Sequence, residues 1–179
     1  MKRQIFISCF ACLFFGFSVS ALAQATPTAS RSGTLQLGAG GTLVIPDYGQ
    51  SHDKGPTFYG SYDFTQHLGV EADIHYASII APSDIGEDSY LIGPRYVITH
   101  KRFSPYAKLL FGFGQLNLQF DTSPHTKTNH FAYAVGAGLD YHLTRSINIR
   151  AFDFEYQQWK YLNGLSPIVM TIGVAYQFH

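Results

Sequence analysis

The stretch SPIVMTIGVAYQFH, Ser166–His179, divides cleanly into two sets of alternate residues. One set is Ile168, Met170, Ile172, Val174, Tyr176 and Phe178; the other is Val169, Thr171, Gly173, Ala175 and Gln177. Successive side chains of an extended chain point to opposite sides, so this alternation predicts a β-strand with one apolar face. The fold depends on what that face touches, a protein core or something outside the protein.

The N-terminus bears on that question. Lys2 and Arg3 precede an uncharged apolar run, Ile5 to Val19, which closes on the small-x-small site Ala21-Leu22-Ala23. That three-part pattern predicts a secretory signal peptide over 1–23, followed by a polar linker over 24–32 and a single domain over 33–179. A lipoprotein signal fits poorly, because too little apolar sequence precedes Cys9 and Phe10-Ala11 is a poor lead-in to Cys12. Both cysteines lie in the leader, so no thiol or disulfide chemistry is expected after export. Without Lys2 and Arg3, ten basic residues face twelve acidic ones, a net charge near −2. No basic patch suggests nucleic acid as a partner. Charged residues make up 13% of the chain and aromatics 16%, with 17 glycines and no long apolar helix beyond the leader. This composition suits a β-sandwich or a membrane β-barrel.

Eight strand candidates run approximately over 33–44, 57–64, 68–78, 88–98, 104–116, 129–141, 147–157 and 167–178. Most approach the 9–11 residues that a tilted strand needs to cross a bilayer. Short polar connections at 65–67, 99–103 and 142–146 alternate with longer ones at 45–56, 79–87, 117–128 and 158–166. The short ones echo each other in YDFTQHLGVEADI, YVITHKRFSPYAKL and LDYHLTRSINIRAF. Hairpins with short turns on one side and long loops on the other are the expected asymmetry of an outer-membrane barrel.

Parity places the charges on one face. Glu71, Asp73 and His75 alternate with Val70, Ala72, Ile74 and Tyr76; Arg95 opposes Ile92, Pro94 and Tyr96; Lys108 opposes Leu109, Phe111 and Phe113. Asp140 shares a face with Ala134, Gly136 and Gly138. The seventh strand breaks phase, with Arg150 at one parity and Asp153 and Glu155 at the other, so a β-bulge near Ala151 is expected. A solvent face built of Gly, Ala and a few charges is implausible, whereas small residues fit the crowded inside of a narrow barrel. Aromatics near strand ends, Tyr62, Phe64, Tyr96, Tyr141, Tyr176 and Phe178, fit an interfacial girdle. The apolar face of Ser166–His179 is therefore expected to touch lipid. The predicted fold is all-β, an eight-stranded antiparallel up-and-down transmembrane barrel with short periplasmic turns and four longer extracellular loops.

On the signal peptide, the repeated hairpins and the terminal Tyr176-x-Phe178 strand, the chain resembles the small OmpA/OmpX-like outer-membrane barrels over roughly residues 33–178. The resemblance implies residence in outer-membrane lipid and assembly by the barrel-assembly machinery, which reads such a terminal aromatic strand. His179 follows Phe178 and departs from that signal by one residue. A periplasmic peptidoglycan-binding domain of the full OmpA architecture is not expected.

Catalytic, cofactor and metal sites are not expected. The eight histidines lack metal-ligand spacing. No His-x-Ser pair of the lipid A deacylase kind occurs, and Ser123-Pro124-His125 has the reverse order without a preorganised carboxylate. The candidate site is an interior polar network of Glu71, Asp73, Arg95, Lys108, Asp140, Arg150, Asp153 and Glu155. Pairing of these charges would fill a lumen that is only wide enough for side chains. The expected function is a non-enzymatic, monomeric outer-membrane barrel with a structural or surface-interaction role carried by its loops, whose extracellular ligand the sequence does not identify. The alternatives are a narrow solute pore and, from another class, a lipid-modifying enzyme.

Overall fold

The computed structural model describes residues 33–47, 52–79, 85–118, 126–160 and 164–178. The expected leader and linker, Ser123 and His125, and His179 lie outside the described residues. The strands are β1 (Thr34–Ile45), β2 (Asp53–Asp63), β3 (Leu68–Tyr76), β4 (Ile85–Val97), β5 (Phe103–Leu118), β6 (Thr126–His142), β7 (Ile147–Trp159) and β8 (Ile168–Phe178). Each pairs antiparallel with its neighbours in the chain, and β8 returns to β1 from Leu35–Phe178 to Ile45–Ile168, which closes the barrel. Closure satisfies every backbone edge where lipid offers no hydrogen bonds.

Three connections span four or five residues (64–67, 98–102 and 143–146), and four span seven or eight (46–52, 77–84, 119–125 and 160–167). The sequence echo between short turns has a physical cause. Thr65 Oγ1 accepts from the Leu68 amide at 2.8 Å, and Thr144 Oγ1 accepts from the Ile147 amide at 3.0 Å. Each threonine hydroxyl thus stands in for a backbone acceptor and closes its turn. The third turn is a tight bridge between His100 and Phe103, with Lys101 in the left-handed region at φ 56°.

Several strands run further than the sequence suggests. β2 begins at Asp53, four residues early, and Gly55 and Pro56 lie within it, paired with Thr42 and Gly41. β5 and β6 continue to Leu118 and start at Thr126, and β7 reaches Trp159. Gly, Pro and Asp signal turns only locally, whereas a ladder already in register carries pairing past them. The four long loops are correspondingly shorter than expected. β3 instead stops early, at Tyr76, where the amide and hydroxyl of Ser78 donate to the Asp88 carboxylate at 3.1 and 3.0 Å.

β7 carries the bulge. Leu139 opposes Phe152 while Asp140 opposes Arg150, so Ala151 is the extra residue, and Ala151 and Phe152 are consecutive exposed positions. Arg150, Asp153 and Glu155 all turn inward as a result. The opposite face carries the exposed apolar residues, among them Ile92, Phe113, Val135, Ile172 and Val174.

Candidate functional site inside the barrel

β7 rises from the short-turn end, and its inward residues set the interior layers in order: Asn148, Arg150, Asp153, Glu155, Gln157, Trp159. Beginning at the bottom, Asn148 Nδ2 donates to Gln36 Oε1 and Gln177 Oε1, both at 3.0 Å. His142 Nδ1 lies 2.7 Å from Asn148 Oδ1, and His142 Nε2 lies 2.8 Å from Ser104 Oγ. These residues tie together β1, β5, β6, β7 and β8.

The charged layer lies above. Lys108 Nζ reaches Asp73 Oδ2 and Asp153 Oδ2 at 2.6 Å, Glu155 Oε1 at 2.7 Å and Glu71 Oε1 at 3.0 Å. Arg150 grips Glu71 with two parallel hydrogen bonds, at 3.0 and 3.1 Å, and donates from Nε to Asp140 at 3.3 Å. Arg95 completes the set on Asp140 at 2.6 Å and Glu71 at 3.2 Å. The structure brings all eight candidate network residues into one contiguous set, each at most 3% exposed. Five carboxylates meet three cations, an excess of two acidic groups, and His75 lies beside them. Its Nε2 lies 3.3 Å from Glu155 Oε1, and its Nδ1 lies 2.9 Å from Thr57 Oγ1.

Sequence reasoning missed the aromatic side of this layer. The Arg150 guanidinium stacks 3.7 Å from the centroid of Tyr59, and that of Arg95 stacks 4.2 Å from Tyr106. A desolvated cation over a ring is worth about 2 kcal/mol. The signal was available, since Tyr106 shares parity with Lys108 and Tyr59 with Asp73's cross-strand row. The inner glycines explain how the rings fit. A Cβ on Gly38 would sit 2.3 Å from the Tyr59 ring, one on Gly138 2.4 Å from Tyr106 Oη, and one on Gly114 2.4 Å from Trp159.

The interior is also less polar at the top than the sequence suggests. Trp159, Leu91, Leu110, Leu116, Ala132 and Ala134 form a buried apolar cluster, and Val44, Ala77 and Val169 form another. A polar chain joins these layers: Trp159 Nε1 donates to Gln157 Oε1, and Gln157 Nε2 donates to Glu155 Oε2, both at 3.0 Å.

The predicted girdle residues Tyr62, Phe64, Tyr96, Tyr176 and Phe178 are exposed at the short-turn end, and Tyr141 is half-buried there against Phe103 at 5.2 Å between ring centroids. Phe58, Tyr76 and Tyr90 form an edge-to-face series nearer the long loops.

Two arrangements invite a chemical reading. Asp73, His75 and Glu155 converge as metal ligands would, but the Lys108 ammonium sits on Asp73 and Glu155 where a cation would be held. Ser104, His142 and Asn148 have the form of nucleophile, base and orienting group. They lie on three strands, beyond the reach of a His-x-Ser search. Ser104 is 2% exposed and its Oγ also lies 3.3 Å from Thr99 Oγ1, so the trio reads as a hydrogen-bonded seal across the lower mouth.

A family model described as outer membrane protein beta-barrel domain matches residues 9–178. A 22 kDa outer membrane protein of Rhizobium leguminosarum bv. viciae is 25% identical over 175 residues, covering 87% of this chain and 82% of that protein. Among solved structures, OprG from Pseudomonas aeruginosa superposes with a TM-score of 0.63 at 16% identity, covering 83% of this chain and 97% of its own. Ail, the attachment invasion locus protein of Yersinia pestis, was solved with the heparin analogue sucrose octasulfate; it superposes at 0.55 with 20% identity, covering 82% of this chain and 99% of its own.

Proposed function

The chain belongs to the outer membrane protein beta-barrel domain family, and we propose that within it this barrel is closed to solutes and acts, without catalysis, through its long loops at the cell surface. It is an outer-membrane protein. Residues 1–23 serve as its export signal, the Tyr176-x-Phe178 strand engages the barrel-assembly machinery, and the folded protein is a monomer. The observation that carries the closed reading is the filled lumen: the Lys108-centred ion network with the Trp159 cluster stacked on it. An eight-stranded barrel has room for side chains and little else. Ail is named for attachment and was solved with a heparin analogue; as a protein of the same fold it supports a surface-binding role here.

The pore reading has one observation in its favour, the excess of carboxylates over cations in the charged layer. Reconstitution into planar bilayers separates the two. A closed baseline under applied voltage is the expected result, and steady, cation-preferring conductance would establish the pore instead.

A further inference from the structure

The two rims of the barrel differ in charge. The chain holds twelve Asp and Glu, yet none lies in the short turns at 64–67, 98–102 and 143–146. The lumen takes Glu71, Asp73, Asp140, Asp153 and Glu155, and Asp63, at the end of β2, keeps its Oδ1 buried. The other six fall in or beside the long loops, together with Lys54, Lys127 and Lys160. The short turns instead carry Lys101, Arg102 and Arg145, all exposed, with the exposed imidazoles of His67 and His100.

These turns form one continuous surface. The Val97 amide donates to the His67 carbonyl, the His142 amide to the Arg102 carbonyl and the Gln177 amide to the Ser146 carbonyl, each at 2.8 Å. Each hairpin is thereby stitched to the next at its turn, and Arg102 stands beside the end of β6, from which the Arg145 turn departs. Depth is set by the neighbours. Arg102 directly precedes Phe103, and the same turn opens on Ile98; both apolar side chains are 51% exposed on the lipid side. The cations therefore stand at the level of lipid phosphates, with their stems free to lie along the aromatic girdle. Lys101 adds a second observation. Among the described residues it is the one non-glycine with a positive φ, at 56°. Glycine suits that conformation better, so what lysine adds there is charge.

We propose that this collar binds net-anionic glycerophospholipids of the inner leaflet and so anchors the short-turn end of the barrel. Short turns of such barrels face the periplasm, where the outer membrane presents glycerophospholipid. Cations beside a membrane attract an anionic lipid surface within about a Debye length, and no acidic residue in these turns cancels that field. Zwitterionic lipids fall outside the class, because their own ammonium offsets the phosphate. The assignment needs the barrel to span the membrane, and it is independent of whether the lumen conducts.

The test is lipid selectivity of the folded protein in phosphatidylcholine vesicles, read by electron paramagnetic resonance from the motionally restricted shell of trace spin-labelled lipids. Spin-labelled phosphatidylglycerol should be enriched in that shell about threefold over spin-labelled phosphatidylcholine at low salt. One well-placed cation favours an anionic lipid about fivefold, and shell sites away from the collar dilute the preference. In about 1 M sodium chloride, where the Debye length is about 3 Å, the preference should vanish. It should also vanish when Lys101→Gln, Arg102→Gln and Arg145→Gln are combined, and persist when Lys54→Gln, Lys127→Gln and Lys160→Gln are combined at the opposite end. Heat-modifiable electrophoretic mobility verifies that each variant is folded. Lys101→Gly supplies a variant that the turn conformation favours, and it should weaken the preference by itself. Equal enrichment of the two lipids, a preference that survives the collar substitutions, or one lost with the long-loop set would overturn the proposal. The absence of any restricted shell would remove the spanning barrel and the collar with it.

Discussion

Lys108 Nζ stands within 3.0 Å of four carboxylates, so its removal leaves a buried anionic cluster without its central cation. Breaking a buried ion pair from one side costs about 3–5 kcal/mol, even where replacing the whole set by apolar residues would be neutral. Lys108→Ala is therefore expected to lower the urea midpoint for unfolding from lipid vesicles by an amount in that range. An unchanged midpoint would show that water, not Lys108, compensates these carboxylates. On the opposite face, Ile172 is 64% exposed. Ile172→Arg places a charge in the hydrocarbon at a cost of about 2–4 kcal/mol. Gln177 points inward near the lower mouth, where Asn148 donates to it, so Gln177→Arg should be much milder in the same titration. Equal effects would mean the two faces are wrongly assigned.

At the scale of the element, β7 shows how one extra residue sets the chemistry of a whole strand. Ala151 restores the phase, so that Asn148 and Arg150 below it and Asp153, Glu155 and Gln157 above it all reach the lumen. Deleting Ala151 forces one half of the strand to turn over and present either Arg150 or two carboxylates to lipid, while Ala151→Gly keeps the count and the register. The deletion should abolish the heat-modifiable folded band after refolding into vesicles, and the glycine variant should retain it. A folded deletion variant would show that the bulge can migrate along β7.

For the molecule as a whole, the two ends of the barrel differ in a way that can be tested from outside the cell. The family's arrangement puts short turns in the periplasm and long loops at the surface. Cys9 and Cys12 both lie within the expected leader, so a single introduced cysteine is a clean reporter. Cysteine at His52, exposed at the long-loop end, should react with an impermeant thiol reagent on intact cells. Cysteine at Gln66 or Thr144, in the short turns, should react only after the outer membrane is opened. The reverse pattern would invert the topology.

Much of this was legible in the chain alone, because side-chain alternation in a strand is a local property with a period of two. Ile172 and Glu71 declare their faces by parity, and even the bulge shows as a slip in phase between Arg150 and Asp153. The turn threonines Thr65 and Thr144 echo for the same reason, since each closes its own hairpin. Parity says which way a side chain points and nothing about how far around or up the barrel its partner lies. Only closure with a definite register brings Arg150 over Tyr59 from the far side of the sheet, lays Trp159 on Gly114, and joins Ser104 to His142 and Asn148. The same holds for the strand ends, where ladder pairing carried Gly55 and Pro56 into β2 against their local preference.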